Sequence, residues 1–221
     1  MNGDTQIRFA KLLLKWLSVL LVLKVTFNIL SNYPGYFPPD FQVDFLQGRE
    51  GYFHGAYRVA FYTHILTTPC VILSGLVLLN ARFRNRAQGL HRGIGRCHVV
   101  AVLLGVVPSG LVMSAYAFTG FLAGLGFAIL ALVTGVCAAM GWRLAVQGRF
   151  EEHRQWMIRC FLLLCSAIAL RLISGIATIT NADPEWTYPL AAWSSWILPL
   201  VGFELLLRRK KLAAIDRDHR D

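Results

Sequence analysis

Acidic residues are scarce in this chain: 12 Asp and Glu stand against 22 Lys and Arg. Glu204 is the one carboxylate inside a long apolar run, so a relay of acids for cation transport, or a buried carboxylate pair for acid–base work, has no residues to run on. A P-loop, a glycine-rich dinucleotide fingerprint and an H-E-x-x-H sequence are all missing, which leaves soluble-enzyme chemistry with little support. The five cysteines, Cys70, Cys97, Cys137, Cys160 and Cys165, lie in or beside apolar runs and form no C-x-x-C pair. They read as small buried hydrophobes without a disulfide framework. Charged residues make up only 15% of the chain and hydrophobic ones 56%, a balance expected when most helices face lipid.

The fold class that follows is all-α: a polytopic membrane protein of six transmembrane helices. Apolar runs cover about 8–30, 57–80, 94–117, 121–146, 155–179 and 188–207, each long enough at about 1.5 Å per residue to cross a core of about 30 Å. The first run carries Lys24 and lacks a small-x-small cleavage site, so it reads as a retained span. Residues 31–56, with Pro34-Gly35 and Pro38-Pro39 among aromatics, read as an outer interfacial loop or short cap. Residues 208–221, opening on Arg208-Arg209-Lys210-Lys211, read as a cytoplasmic tail too polar to pack. The third span is expected to kink at Pro108-Ser109-Gly110, and Gly120, Gly124, Gly126, Gly135 and Gly141 give the fourth a small-residue surface for close helix approach.

The net charge of +10 would suggest nucleic acid in a soluble protein, but here the cations cluster beside apolar runs on alternate connections. That is the positive-inside pattern, and no nucleic-acid partner is expected. The outer turns instead carry Asp40, Asp44, Glu50, Asp183 and Glu185. Both termini are expected in the cytoplasm of a bacterium, the protein residing in its inner membrane.

Two stretches echo each other: Leu90-His91-Arg92 through Arg96, and Glu152-His153-Arg154 through Arg159. Each sets a His-Arg pair before an apolar run, like two polar hinges on one membrane face. The second and third spans, and the fourth and fifth, then form two hinged hairpins making a four-helix core about a pseudo-twofold axis.

Tyr62-Thr63-His64-Ile65, Leu90-His91-Arg92-x-x-Gly95-Arg96, Gly126-Phe127 and His153-Arg154-Gln155-Trp156-Met157-Ile158-Arg159, with Arg171 beyond, resemble the bacterial family of predicted membrane proteins known as DUF2306. The resemblance implies a shared fold and a shared site around His64, His91, His153 and Arg171, and carries no reaction with it. His98 stands where that family usually has an aromatic or aliphatic residue. A weaker architectural likeness is to membrane cytochromes of the b561 type, in which all four core helices supply histidines; here the fourth span has none.

Helix rise sets the depths. His64, Arg171 and Lys24 fall about 10, 12 and 9 Å from the outer face, one cationic layer suited to an anionic or carbonyl-bearing ligand. The bland alternative is a snorkelling Lys24, an Arg171 bonded to backbone and a neutral seam histidine. His98 falls within about 6 Å of the inner face, with His91, His153, Arg92, Arg96, Arg154 and Arg159. These can be lipid anchors, or imidazoles gathered across the axis as iron ligands, with Trp156 against a porphyrin face and the arginines on propionates. The leading expectation is a membrane redox protein holding b-type haem or quinone and working with a membrane redox partner. His91, His153 and His98 are the candidate iron ligands. Alternatives are a lipid-binding or accessory subunit docked on anionic lipid, and a small organic-anion transporter. Whether the chain is an enzyme stays open.

Overall fold

The computed structural model describes residues 3–43 and 45–218. Among the described residues every regular element is helical, and the chain divides into two compact units, Met1–Arg58 and Val59–Asp221.

In the first unit, α1 spans Gly3–Ser31 and is apolar nearly all round, with Leu14 67% and Phe27 69% exposed, the surface of a helix meant for lipid rather than water. The loop after it has a small core of its own, in which Tyr36, Leu46 and Phe53 are buried. Arg49 fixes it: the guanidinium lies 4.5 Å from the Phe45 ring centre and donates to the Phe45 carbonyl at 2.7 Å and the Tyr52 and Tyr57 hydroxyls at 3.0 and 3.2 Å. The expected interfacial loop is thus an ordered aromatic module. Asp44, grouped above with the outer carboxylates, lies outside the described residues.

In the second unit, α2 (Gly55–Leu78) leads to a short α3 (Ala81–Arg86), capped by the Asn80 side chain, which accepts from Arg82 N and Phe83 N. The third span is α4 (Gln88–Ala101), a π-helical segment, Val102–Val106, and α5 (Val107–Ser114). The kink expected at Pro108 takes this form because proline offers no N–H to the preceding turn, and the ladder widens there. Ser109 Oγ donates to the carbonyls of Gly105 and Val106 at 2.6 and 3.1 Å, satisfying groups in the widened turn.

The fourth span, α6 (Phe121–Val146), follows a turn at Gly120, whose φ of +80° is a glycine conformation. Its glycines do what their spacing suggests. A Cβ at Gly124 would lie 2.6 Å from the Ser114 carbonyl oxygen, and one at Gly141 2.5 Å from Met157 Sδ. The fifth span is α7 (Phe150–Leu164) and α8 (Ser166–Ile179), parted at Cys165.

Three helix ends run beyond the apolar runs. α4 and α7 begin about six and five residues before the expected 94 and 155, so the polar hinges are first helical turns and not loops. The last helix, α9, spans Pro184–Asp218, so most of the expected unpacked tail is helical; residues 219–221 lie outside the described residues. Apolar runs mark where a helix meets hydrocarbon, whereas the hydrogen-bond ladder continues through polar residues at the interface.

The core gathers Val71, Val99, Val102, Cys137, Cys160, Leu163 and Trp196. It combines the two hairpins with α9, which contributes Trp196 and anchors Trp193 Nε1 on the Leu122 carbonyl at 3.1 Å.

Candidate functional site

At the basic end of the four-helix core a cavity of about 710 Å³ opens between α2, α4, α6 and α7. Three imidazoles line it: His91, His98 and His153. Four guanidiniums, Arg84, Arg92, Arg96 and Arg154, stand against one carboxylate, Glu151, and Glu151 already faces Arg154 at 3.9 Å. The base is apolar, built from Val99, Met157 and Phe161. An amphipathic cavity of this size, apolar below and cationic at the rim, suits a ligand with a flat or greasy body and anionic groups.

Local folding places the histidines. His91 and His153 are each the fourth residue of their helix, and their backbone N–H groups close the first turn onto the Ala87 and Arg149 carbonyls at 2.9 Å in both cases. The two imidazoles lie within electrostatic reach of each other. His98, seven residues on, sits about 10 Å deeper than His91 and is 4% exposed.

Hydrogen bonds decide which ring nitrogen is free. A carbonyl only accepts, so the 2.8 Å contact of His153 Nδ1 with the Gly141 carbonyl places a hydrogen on Nδ1 and leaves the Nε2 lone pair available. Ser74 Oγ donates to the Val71 carbonyl at 3.2 Å, hence accepts from His98 Nδ1 at 2.9 Å, and His98 Nε2 carries a lone pair too. Orientation of one nitrogen by a carbonyl or hydroxyl is the arrangement a ligating imidazole uses. His91 Nδ1 is buried and has no hydrogen-bond partner among the described residues, an unsatisfied polar atom.

The family model described as a predicted membrane protein, DUF2306, matches residues 61–207. The chain belongs to this family. No curated protein and no solved structure matches it. The DUF2306 match holds every core helix and the whole cavity lining, and it leaves Lys24 and the aromatic module outside. Among the described residues six helices are long and apolar enough to cross a membrane.

The remaining expected site residues do not join this cavity. His64, half-buried on α2, meets Ser109 at 3.1 Å and lies within electrostatic reach of Arg171. Arg171 is exposed on α8 and donates to the Ala167 carbonyl at 3.0 Å. Lys24 belongs to the first unit, where its side chain is exposed. Trp156 is directed away from the cavity, with Arg159 5.0 Å above its ring; Trp142 of α6 supplies the indole at the cavity instead. Arg159 is engaged by Glu204 through contacts of 2.6 and 3.1 Å. Among the described residues no group of three or more His, Cys, Asp and Glu side chains converges as a metal site. The residues missed from sequence are Ser74 and Trp142. Ser74 gains a role only from the pairing of the second span with the third, which sets it against His98.

Proposed function

We propose that this DUF2306 protein is a membrane redox protein that holds a b-type haem in the basic-end cavity. The basic end faces the cytoplasm of a bacterial inner membrane, and both termini lie on that side, because nearly all Lys and Arg residues flank the spans there. The observation that carries the reading is the pair of histidines, His91 and His153, delivered to one cavity by the two hairpins and within electrostatic reach of each other. His91 and His153 would hold the iron of a b-type haem, which would supply one-electron chemistry when bound. The donor set fits: His153 has a free Nε2 fixed by Gly141, and His91 has a buried nitrogen in want of a partner. Arg92, Arg96 and Arg154 would neutralise propionates, while Val99, Met157 and Phe161 keep water from the cavity base.

Four arginines against one acid favour a second reading, in which an anionic phospholipid headgroup is the ligand and the protein is an accessory membrane subunit. The absorption spectrum of detergent-purified protein separates the two. A Soret band that sharpens into α and β bands on reduction, and that His153→Ala removes, is expected. A colourless preparation refutes the haem reading, and stoichiometric anionic phospholipid in its extract would establish the second.

A further inference from the structure

Glycines on the neighbouring helices shape the apolar base of the cavity. Two large side chains of α7, Met157 and Phe161, line it and lie four residues apart on one helical face. Each is drawn back against a glycine of an adjoining helix. A Cβ at Gly75 of α2 would lie 2.5 Å from Phe161 Cδ2 and 2.8 Å from Cε2, and one at Gly141 of α6 would lie 2.5 Å from Met157 Sδ. Ordinary contact between carbons needs about 3.5–4.0 Å, so each side chain occupies room that only the missing methyl leaves open. The same Cβ at Gly75 would also lie 3.5 Å from His98 Cε1, at the deep end of the cavity.

Packing decides what a methyl at Gly75 would do. The Phe161 ring would have to retreat by about 1–1.5 Å to regain ordinary contact. One turn farther from the basic end, Val71 on α2 and Leu164 on α7 are 1% and 5% exposed and belong to the common core, where close packing leaves no room for a displaced ring. The unfilled space is the cavity itself, so the ring rises into it and the base becomes shallower. At Gly141 the displaced atoms belong to an unbranched thioether that adapts more readily, which makes Gly75 the stricter position.

We propose that Gly75 is a specificity-determining residue: by letting Phe161 lie back, it sets how far the apolar body of a ligand reaches below anionic groups held at the arginine rim. The role rests on the reading of the cavity as a ligand site. It is the same for haem and for an anionic phospholipid, which share one chemistry, anionic groups on an apolar body. The ligand class is an anionic amphiphile of limited length. A body that ends at Phe161 is buried whole, whereas a longer one lifts its anionic groups away from Arg92 and Arg154 or leaves its far end uncovered. Each buried methylene contributes about fourfold in affinity, from about 0.8 kcal/mol, so selection by length is steep.

Native mass spectrometry of the full chain in detergent, mixed with an equimolar series of alkyl phosphates from octyl to hexadecyl, reads which lengths are bound; hemin is offered in a parallel series. Gly75→Ala is expected to move the preferred length about one or two carbons shorter and to cut hemin occupancy severalfold. Phe161→Leu is expected to move the preferred length longer, and it carries the test if Gly75→Ala elutes as aggregate. A loss of stability alone lowers all lengths together and leaves the preference in place. A preferred length that stays put in the folded variants overturns the proposal, as does hemin occupancy unchanged by Gly75→Ala where hemin is the probe that binds. Arg92→Gln with Arg154→Gln then tells which idea has failed. If that pair lowers all lengths together, the cavity holds the ligand and only the role of Gly75 falls; if it changes nothing, the cavity reading falls too. A parent chain that binds neither probe overturns both.

Discussion

Two glycine-to-alanine substitutions, chemically identical and both on spanning helices, are expected to move stability in opposite directions. At Gly124 the added methyl would sit 2.6 Å from the backbone oxygen of Ser114 and 3.7 Å from the Ala117 methyl. A backbone oxygen has no rotamer through which to escape, so α5 and α6 must part by about 0.5–1 Å to restore ordinary contact. Overpacking of that kind costs about 1–3 kcal/mol. At Gly175, on α8, nothing lies within 4 Å of the added carbon, and alanine stabilises a helix interior by about 0.5–1 kcal/mol relative to glycine. The two variants should therefore differ by about 1.5–4 kcal/mol, on the order of 5–10 °C in melting temperature for a chain of this size. Thermal unfolding in one detergent, followed by helical circular dichroism, reads the difference directly. Melting points that coincide, or Gly124→Ala above Gly175→Ala, would show that the short turn at Gly120 does not press α5 onto α6 as described.

Glu204→Gln should lower stability by about 1.5–3 kcal/mol, since it strips the carboxylate from a largely covered Arg159; a double-mutant cycle with Arg159→Met, read by thermal unfolding, should return a coupling energy of about 1 kcal/mol or more. Gly120→Ala should cost about 1–3 kcal/mol in the same assay, because φ +80° with ψ −153° is territory only glycine enters freely. Arg92→Gln combined with Arg154→Gln should cut the ligand retained per protein by about tenfold or more, each lost charge-assisted bond being worth about 1.5–3 kcal/mol, as measured by pigment or phospholipid content after purification.

How far the sequence could be read depended on where several signals coincided. The fourth span was legible to the residue, because its apolar run stops at Gly120 and at Gln147-Gly148, where turn chemistry and loss of hydropathy agree. The helices of the third and fifth spans begin before their apolar runs, because His91-Arg92 and His153-Arg154 look like connection by polarity and yet extend the helical ladder. Trp156 was expected beside His153 from closeness in the chain, but helical rotation puts the residue four places on, Met157, at the cavity, while Trp156 turns toward Arg159 and α9. The aromatic module around Arg49 was unreadable as a structure, because the order of such a loop depends on side-chain contacts that no periodicity announces. The opposition of Ser74 to His98 and of Ser109 to His64 needed the helix pairing before its spacing meant anything.

The π-helical segment Val102–Val106 amounts to one surplus residue inserted into an otherwise regular rod. Each residue turns an α-helix by about 100°, but the wider π-helical turn takes up the surplus, so the halves flanking it keep the phase they would have without it. Delete a single residue there and the rod straightens while His98 and Ser109 still face α2; delete one from the regular turns on either side and one of the two contacts rotates away. Chain length is therefore tolerated at this one point and not beside it, and one-residue deletions in and next to the segment read that difference directly.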